Sequence, residues 1–314
     1  MLWERSVPDK SVAATRHRFH SMCPYFAMFP ESFAERWIED LTEEGDLVVD
    51  PFSGRGTAPF QAVLMNRRTI ACDINPVAYV LTRAKTRAPA LSAVQSRLSD
   101  LSAKYERLRT SWPAQPEFFK LAFEESTLKQ ILFVRRELNW KSDDIDAMIA
   151  AIILGCLHGE VSGAKSYLSN QMPRTISTKP DYSVRYWRRN ELSPPERDLF
   201  ELSADKLQFR YASGRPRRKG QAHLGDMRDF ARFSGKKKAD LMITSPPYLD
   251  TTSFEEDQWL RLWFLGGPER PSRGRVSRDD RLLTRDSYWM MIADFWRMAG
   301  QVVRTDGNVV MRIA

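Results

Sequence analysis

Three aspartates at the ends of predicted parallel strands are the residues of this sequence best placed to bind a ligand. Asp50 ends the apolar run DLVVD, Asp73 follows TIAC, and Asp226 follows AHLG. Ligands of an open α/β sheet bind at the carboxyl ends of its strands, so these carboxylates are expected to meet there. Asp73 lies 23 residues after Asp50, where an acid that accepts hydrogen bonds from ribose hydroxyls is expected. A helix-capping role is the alternative for Asp73.

A glycine-rich turn, PFSGRGT, follows Asp50. It contains Gly54 and Gly56, which let the backbone approach a ligand closely because they carry no side chain. No lysine follows GRGT, so the turn is not a phosphate-binding P-loop.

A second rigid turn follows the buried strand predicted at 240–244. There Ser245 precedes Pro246 and Pro247, and Tyr248 comes next. Proline has no N–H for the sheet ladder and biases the residue before it towards extended geometry. The pattern predicts carbonyl groups fixed at the strand end and an aromatic ring just beyond them. A purely structural proline turn is the alternative.

The elements that must position these turns alternate between strand and helix. The predicted strands are 46–50, 69–74, 222–225, 240–244 and 308–313. The predicted helices of this part of the chain are 30–44, 58–66, 76–87 and 287–304. This order is typical of a doubly wound parallel α/β sheet.

A helical, basic insertion interrupts this pattern between residues 90 and 220. Helices are predicted at 92–109, 126–138 and 143–158, followed by a loop-rich stretch at 161–220. That stretch has 13 Lys and Arg against 6 Asp and Glu, with seven aromatic residues among them. Cations mixed with aromatic rings suit phosphate contacts and base stacking. A solvated loop is the alternative.

The motifs together resemble those of a known enzyme family. DPFSGRGT at 50–57 and TSPPY at 244–248 resemble the two signature motifs of the amino-group DNA methyltransferases, which use S-adenosylmethionine. RFHSMCPYFAMFP, CDIN and GDMRDF resemble the family's N-terminal cofactor, ribose-binding and adenine-binding motifs. The serine of SPPY resembles the cytosine-N4 branch.

The resemblance implies a class I methyltransferase Rossmann-like fold. Its N-terminal half would span 1–89, the insertion 90–220 would be the DNA target-recognition region, and the catalytic half would span 221–314. The family sheet has seven strands and only five are predicted here, so the last strands of the sheet are expected to be missing.

The resemblance also implies roles for individual residues. The catalytic candidates are Ser245, Pro246, Pro247 and Tyr248. The candidates for binding S-adenosylmethionine are Tyr25, Phe29, Asp50, Pro51, Phe52, Ser53, Gly54, Gly56, Thr57, Asp73, Ile74, Asn75, Asp226 and Met227. The DNA-binding candidates in the insertion are Lys165, Arg174, Lys179, Arg185, Arg188 and Arg189.

The implied reaction is direct methyl transfer to the N4 amine of a cytosine flipped out of the duplex. The Ser245 hydroxyl and the Pro246 carbonyl would accept hydrogen bonds from that amine, and Tyr248 would stack on the base. No Pro-Cys dipeptide is present, so a carbon-5 cytosine enzyme is excluded. Three alternatives are an adenine-N6 DNA methyltransferase, more distantly an RNA or protein-glutamine methyltransferase, and a non-catalytic nucleic-acid-binding protein with a decayed methyltransferase domain.

Composition limits the other classes of protein. The chain has 314 residues, 42% apolar, and a net charge of +8, which is compatible with a polyanionic partner. Its three cysteines form no CxxC, and no metal site is expected. No apolar run is long enough for a membrane helix and no signal peptide is evident, so a cytoplasmic protein is expected. The resemblance implies double-stranded DNA as its partner. A homodimer and a companion restriction endonuclease remain open as partners.

Overall fold

The structure is a computed structural model. It describes residues 16–25, 29–109, 111–160, 166–249, 254–271 and 284–313. Of the candidate site residues, Lys165 lies outside these ranges.

The described strands form one parallel sheet. They are β1 (Leu47–Asp50), β2 (Arg68–Asp73), β3 (Gln221–Leu224), β4 (Ala239–Thr244) and β5 (Val303–Met311). Their spatial order is β3-β2-β1-β4-β5, and each neighbouring pair is parallel. The α/β doubly wound prediction is confirmed for the described residues. The strand order reverses direction beside β1, so the crevice next to that strand is where such a sheet binds a ligand.

The helices have the following bounds: α1 (Glu31–Leu41), α2 (Thr57–Leu64), α3 (Pro76–Thr86), α4 (Leu91–Arg107), α5 (Glu117–Ala122), α6 (Glu125–Glu137), α7 (Asp144–Cys156), α8 (Pro180–Arg189), α9 (Leu199–Tyr211), α10 (Phe230–Ser234), α11 (Phe254–Asp257), α12 (Trp259–Phe264) and α13 (Arg285–Val302). None of them is long and apolar enough to cross a membrane.

Helices cover both faces of the sheet because alternate residues of each strand point to opposite faces. Val48 of β1 packs with Ile38 of α1 and Ala62 of α2 on one face. On the other face, Val49 packs with residues of α10 and α13, including Phe295. Neighbouring residues of β1 therefore bury their side chains in separate cores.

Helices α4 to α9 lie in the chain between α3 and β3. Helix α7 packs against α3, and their residues share one large apolar core. The predicted loop-rich end of the insertion is partly wrong, because α8 and α9 are regular helices there. Pro180 occupies the first turn of α8, where proline's missing N–H has no helical partner to lose, so it starts that helix rather than breaking one. The division of the chain into three parts stays a prediction.

Strand β5 is longer than predicted and starts at Val303 rather than at residue 308. Its pairing with β4 shifts register, from Ala239 opposite Val303 to Leu241 opposite Asn308. The residues of β5 between these two pairs, which include Gly307, lie before the start of the strand predicted at 308. They form an irregularity in the pairing of β5 with β4.

Candidate active site at the carboxyl edge of the sheet

A buried hydrogen bond joins the end of β1 to the end of β4. Thr244 Oγ1 donates to Asp50 Oδ1 across 2.6 Å, and the same oxygen accepts from the Phe52 main-chain N–H at 3.1 Å. Asp50 is 1% exposed. Burial, reinforced by the charge of Asp73, raises the pKa of Asp50 to about 7, although the two hydrogen bonds favour its charged form. The glycine turn and the proline turn therefore start from one hydrogen-bonded pair.

The glycine turn folds over the end of β2. The Gly54 N–H donates to Asp73 Oδ2 at 2.8 Å, and the Ser53 N–H donates to the carbonyl of Cys72 at 3.0 Å. Gly56 has φ 74° and caps α2, and a Cβ there would lie 2.6 Å from Thr82 Oγ1. Only glycine fits this position, because α3 passes directly beneath the turn.

The Asp73 carboxylate organises the start of α3. Its second oxygen accepts from the Asn75 N–H at 2.9 Å, and the Asn75 side chain accepts from Val77 N–H, which caps the helix. Asn75 Nδ2 donates to Tyr25 Oη at 3.1 Å, and a Cβ on Gly54 would lie 3.7 Å from the Tyr25 ring. Burial first, and then the charge of Asp73, raise the pKa of Tyr25 above its usual value. The Tyr25 ring therefore stands beside the glycine turn, with its hydroxyl tied to Asn75.

Asp226 stands next to Asp73 at the same edge. The Gly225 N–H donates to the carbonyl of Asp73 at 3.0 Å, which joins the ends of β3 and β2. The Asp226 carboxylate accepts from the Arg228 N–H at 2.9 Å, from Arg228 Nε at 3.0 Å and from Nη2 at 2.7 Å. Burial first, and then the charges of Asp73, Asp50 and Asp226, raise the pKa of the Cys72 thiol well above its usual value. Asp50, Asp73 and Asp226 thus follow or end three neighbouring strands, β1, β2 and β3, at the same edge of the sheet.

The remaining cofactor candidates differ in position. Phe52 is half-buried, with its ring 6.1 Å from that of Phe295, and Met227 is buried in the α10–α13 core. Phe29 is buried in the core beneath α1, with its ring 5.3 Å from that of Phe33, so its side chain packs against α1. Pro51, Ser53, Thr57 and Ile74 lie on or beside the glycine turn and the end of β2.

The proline turn closes the opposite side of this edge. Ser245 Oγ and Tyr248 Oη lie 2.9 Å apart and share a hydrogen bond, while Pro246 is buried and Pro247 is half-buried. The Thr244 carbonyl accepts from the Arg312 N–H at 2.9 Å. The Ser245 hydroxyl is therefore hydrogen-bonded to the hydroxyl of Tyr248, and the sequence motif alone does not predict this contact.

Sequence reasoning missed a buried polar cluster beneath the glycine turn. Arg55 is 4% exposed, and its guanidinium pairs with Glu31 at 3.1 Å. Lys85 is fully buried and donates to the Arg55 carbonyl. Burial and the charge of Arg55 lower the pKa of Lys85 well below its usual value. The nearby His20 bonds Gln61 across 3.1 Å, and burial first, then the charge of Lys85, lower the pKa of His20 to about 2. The only sequence signal was the charged residue inside GRGT.

The DNA-binding candidates fall into two places. Lys179, at the N-terminal end of α8, pairs with Glu256 at 3.3 Å, while Arg185, Arg188 and Arg189 are exposed on that helix. Arg188 pairs with Glu117. Arg174 lies apart, on the wall of a cavity. Helix α8 also exposes two tyrosine rings, Tyr182 and Tyr186, which stack with centroids 6.0 Å apart.

Helix α8 is tied to the segment that follows the proline turn. The Ser177 N–H donates to the Asp257 carbonyl at 2.6 Å, and Trp259 Nε1 donates to the Thr178 carbonyl at 3.1 Å. Trp187 is 1% exposed and anchors the helix through a bond from its Nε1 to the Gln171 carbonyl. The exposed face of α8 is thus held by the same part of the chain that continues from the candidate site.

Among the described residues, no group of His, Cys, Asp or Glu side chains could hold a metal ion.

Comparisons with known proteins find sequence similarity over short stretches of the chain. The N6 and N4 methyltransferase family model, described as DNA methylase, matches residues 2–83. The orphan methyltransferase M.BamHII of Bacillus amyloliquefaciens is 47% identical over 49 residues, 16% of this chain and 18% of that protein. The type II methyltransferase M.HpaI of Haemophilus parainfluenzae is 44% identical over 52 residues, 17% of each chain. The match therefore spans less than a fifth of the length of either curated relative.

A solved rRNA methyltransferase, aviRa from Streptomyces viridochromogenes, aligns over 95% of this chain and 85% of its own at 12% identity, with a TM-score of 0.36. The two curated relatives and the family model support an amino-group DNA methyltransferase, and they do not separate the N4 from the N6 type.

Proposed function

We propose that this chain transfers a methyl group from S-adenosylmethionine to the exocyclic N4 amine of cytosine in double-stranded DNA. The observation that carries the proposal is the 2.6 Å hydrogen bond from Thr244 to Asp50, which joins the glycine turn and the proline turn at one sheet edge. One turn would bind the methyl donor and the other the acceptor. Positioning two reactants side by side supplies much of the catalysis when the transfer needs no covalent intermediate.

The residues at this edge fit S-adenosylmethionine chemically. A nucleoside presents hydroxyl and amine donors, and the Asp73 and Asp226 carboxylates are acceptors that meet at the ends of β2 and β3. Asp73 would accept from the ribose hydroxyls and Asp226 from the adenine amine, with the Tyr25 ring as a wall. Asp50 would lie at the methionine end, where a cationic amine would favour its charged form. When bound, the cofactor supplies an electrophilic methyl group on a sulfonium.

The proline turn would hold the acceptor amine. That amine is a poor nucleophile because its lone pair is delocalised into the ring, and two acceptors on its N–H groups would localise the pair. The Ser245 hydroxyl and the Pro246 carbonyl would be these acceptors. Tyr248 would release its 2.9 Å bond to Ser245 and stack on the flipped base.

The stacked, cationic face of α8 would hold the DNA near this edge. Tyr182, Arg185, Tyr186 and Arg189 have helical spacings of three and four, so they share one face. Guanidinium groups bind phosphates, and tyrosine rings contact phosphates through their hydroxyls or bases by stacking. Lys179 and Arg188 would add positive charge near this face and so attract the DNA phosphates.

The deciding experiment incubates the full chain with labelled S-adenosylmethionine and mixed-sequence duplex DNA. The DNA is then digested to nucleosides and separated by mass. We expect N4-methylcytosine. N6-methyladenine in its place would establish the alternative target, since a serine in this turn does not by itself exclude the larger base. Ser245→Ala should strongly reduce the amount of product, while replacement of Ser32, an exposed serine on α1, by alanine should not.

Calorimetry separates the enzyme from a decayed relative. An active enzyme must bind S-adenosylmethionine, and Asp73→Ala should remove that binding. A wild-type chain that binds duplex DNA but neither binds the cofactor nor methylates would establish the non-catalytic alternative.

A further inference from the structure

A second concave site lies between the segment 21–24 and the insertion. It is a cavity of about 240 Å³, several times the roughly 30 Å³ that a water molecule occupies. Its walls come from the segment around Ser21 to Pro24, from the last turns of α7, and from α9. Nothing in the proposed methyl transfer uses it.

The cavity carries three cations and, among the described residues that line it, no carboxylate. Lys206 and Arg210 project from α9, and Arg174 lies on the facing segment. Within the described ranges, the side chains of Arg174 and Lys206 make no ion pair. Arg210 is mostly buried, and its Nη1 donates to the Arg18 carbonyl at 3.0 Å and to Ser21 Oγ at 2.6 Å. These two bonds fix one edge of the guanidinium in the cavity wall.

A fourth cation lies directly behind the wall. Arg261 is 0% exposed, and within the described ranges it donates to two main-chain carbonyls, from Nε to Leu154 at 3.0 Å and from Nη2 to Arg174 at 2.6 Å. Its Nη1 has no hydrogen-bond partner within the described part of the chain. A buried guanidinium is costly unless a negative charge is close, and no described carboxylate pairs with this one.

We propose that this cavity binds a phosphate group. The oxygens of a phosphate would accept from Lys206, Arg174 and the remaining N–H groups of Arg210, and the phosphate's charge would offset that of Arg261. Ile152 and Cys156 also line the cavity, so they would contact an apolar group attached to the phosphate. The phosphate comes either from the DNA backbone, in which case the inference rests on the proposed function, or from a small phosphorylated compound.

The first test needs no DNA and no methyl donor. Inorganic phosphate is titrated into the full chain at constant ionic strength, and both the melting temperature and the heat of binding are followed. We expect stabilisation by phosphate relative to chloride. Arg174→Ala and Lys206→Ala should each weaken phosphate binding about tenfold, which is about 1.4 kcal/mol, because each removes a charged hydrogen-bond donor. The double variant should lose phosphate binding. Both side chains lie outside the core, so the variants should fold.

A matched control keeps the result specific. Arg232→Ala removes an exposed cation on α10, remote from the cavity, and should leave phosphate binding unchanged. The inference is overturned if phosphate gives no more stabilisation than chloride. It is also overturned if the double variant binds phosphate as well as the wild type does.

The second test identifies the source of the phosphate. The affinity for a short DNA duplex is measured against salt concentration for the wild type and the double variant. A slope reduced by about one for each DNA phosphate that the variant no longer neutralises assigns the cavity to the DNA backbone. An unchanged slope, with phosphate binding abolished, assigns it to a small phosphorylated compound. Failure of the proposed methyl transfer would leave the phosphate titration unaffected, so the two proposals fail separately.

Discussion

Replacing Gly56 with alanine should destabilise the protein through two separable effects. Gly56 has φ 74°, and the left-handed region costs a residue with a side chain roughly 1–2 kcal/mol. The new Cβ would also lie 2.6 Å from Thr82 Oγ1 and 2.9 Å from Thr82 Cα. Overpacking of this kind costs about 1–3 kcal/mol, so the total loss in the free energy of unfolding should be about 2–5 kcal/mol.

Gly214 provides a matched control for the backbone effect. It has φ 78°, and a Cβ there would meet nothing within 4 Å. Gly214→Ala should therefore lose only about 1–2 kcal/mol in urea unfolding followed by tryptophan fluorescence. Combining Gly56→Ala with Thr82→Ala removes the hydroxyl from the clash, so the double variant should lose less than the sum of the single losses. Equal losses at Gly56 and Gly214 would refute the claim that α3 dictates this glycine.

Three further predictions follow from the two turns and from α8. Because burial raises the pKa of Asp50 to about 7, the folded chain holds this proton more tightly than the unfolded chain does, where the carboxyl titrates near 4. The free energy of unfolding should therefore fall as pH rises from about 4 to about 7. Asp50→Asn should be about 2–4 kcal/mol more stable than the wild type at pH 8, and it should lose cofactor binding. Parallel profiles of unfolding free energy against pH for the two proteins would contradict this. Tyr248→Ala and Ser245→Ala should leave cofactor affinity in calorimetry within a few-fold but reduce methyl transfer, with Tyr248→Ala losing stacking worth about 1–3 kcal/mol; loss of cofactor binding with turnover intact would reverse these roles. Neutralising Arg185 and Arg189 together should reduce the salt slope of DNA binding by roughly one for each phosphate that is no longer neutralised. Neutralising Arg232, an exposed arginine on α10, should leave the slope unchanged. An unchanged slope in the double variant would remove α8 from the DNA interface.

The sheet could be predicted because local signals agree with its tertiary structure. The apolar runs at β1 and β4 are each followed by glycine or proline turns, and such runs favour buried parallel strands. The position of Asp73 opposite Leu224 then follows from parallel pairing, which brings strand ends to one edge. Strand β5 is the exception, because Gly307 lies inside a pairing irregularity that only the neighbouring strand reveals.

The insertion and the polar layer under the site could not be predicted in the same way. Proline is a helix breaker in most sequence contexts, although Pro180 starts α8. The burial of Lys85 and Arg261 is a long-range effect, because their charged ends reach carbonyl groups 30 and 107 residues away in the chain. Local composition gives charged residues no signal for burial of this kind, since they are mostly exposed elsewhere.

The arrangement of the two turns constrains how this site could change during a reaction. Strands β1 and β4 are direct neighbours, with Val49 paired to Met242, so the two turns start about 4.8 Å apart on a rigid scaffold. The Thr244–Asp50 bond fixes their bases further. Two side chains block this edge in the structure: the Tyr248 ring, which is hydrogen-bonded to Ser245, and the Arg228 side chain, which donates to both oxygens of Asp226. In the proposed reaction, the target base would displace Tyr248 from Ser245 and the nucleoside would displace Arg228 from Asp226, while the spacing of the two turns is set by the sheet itself.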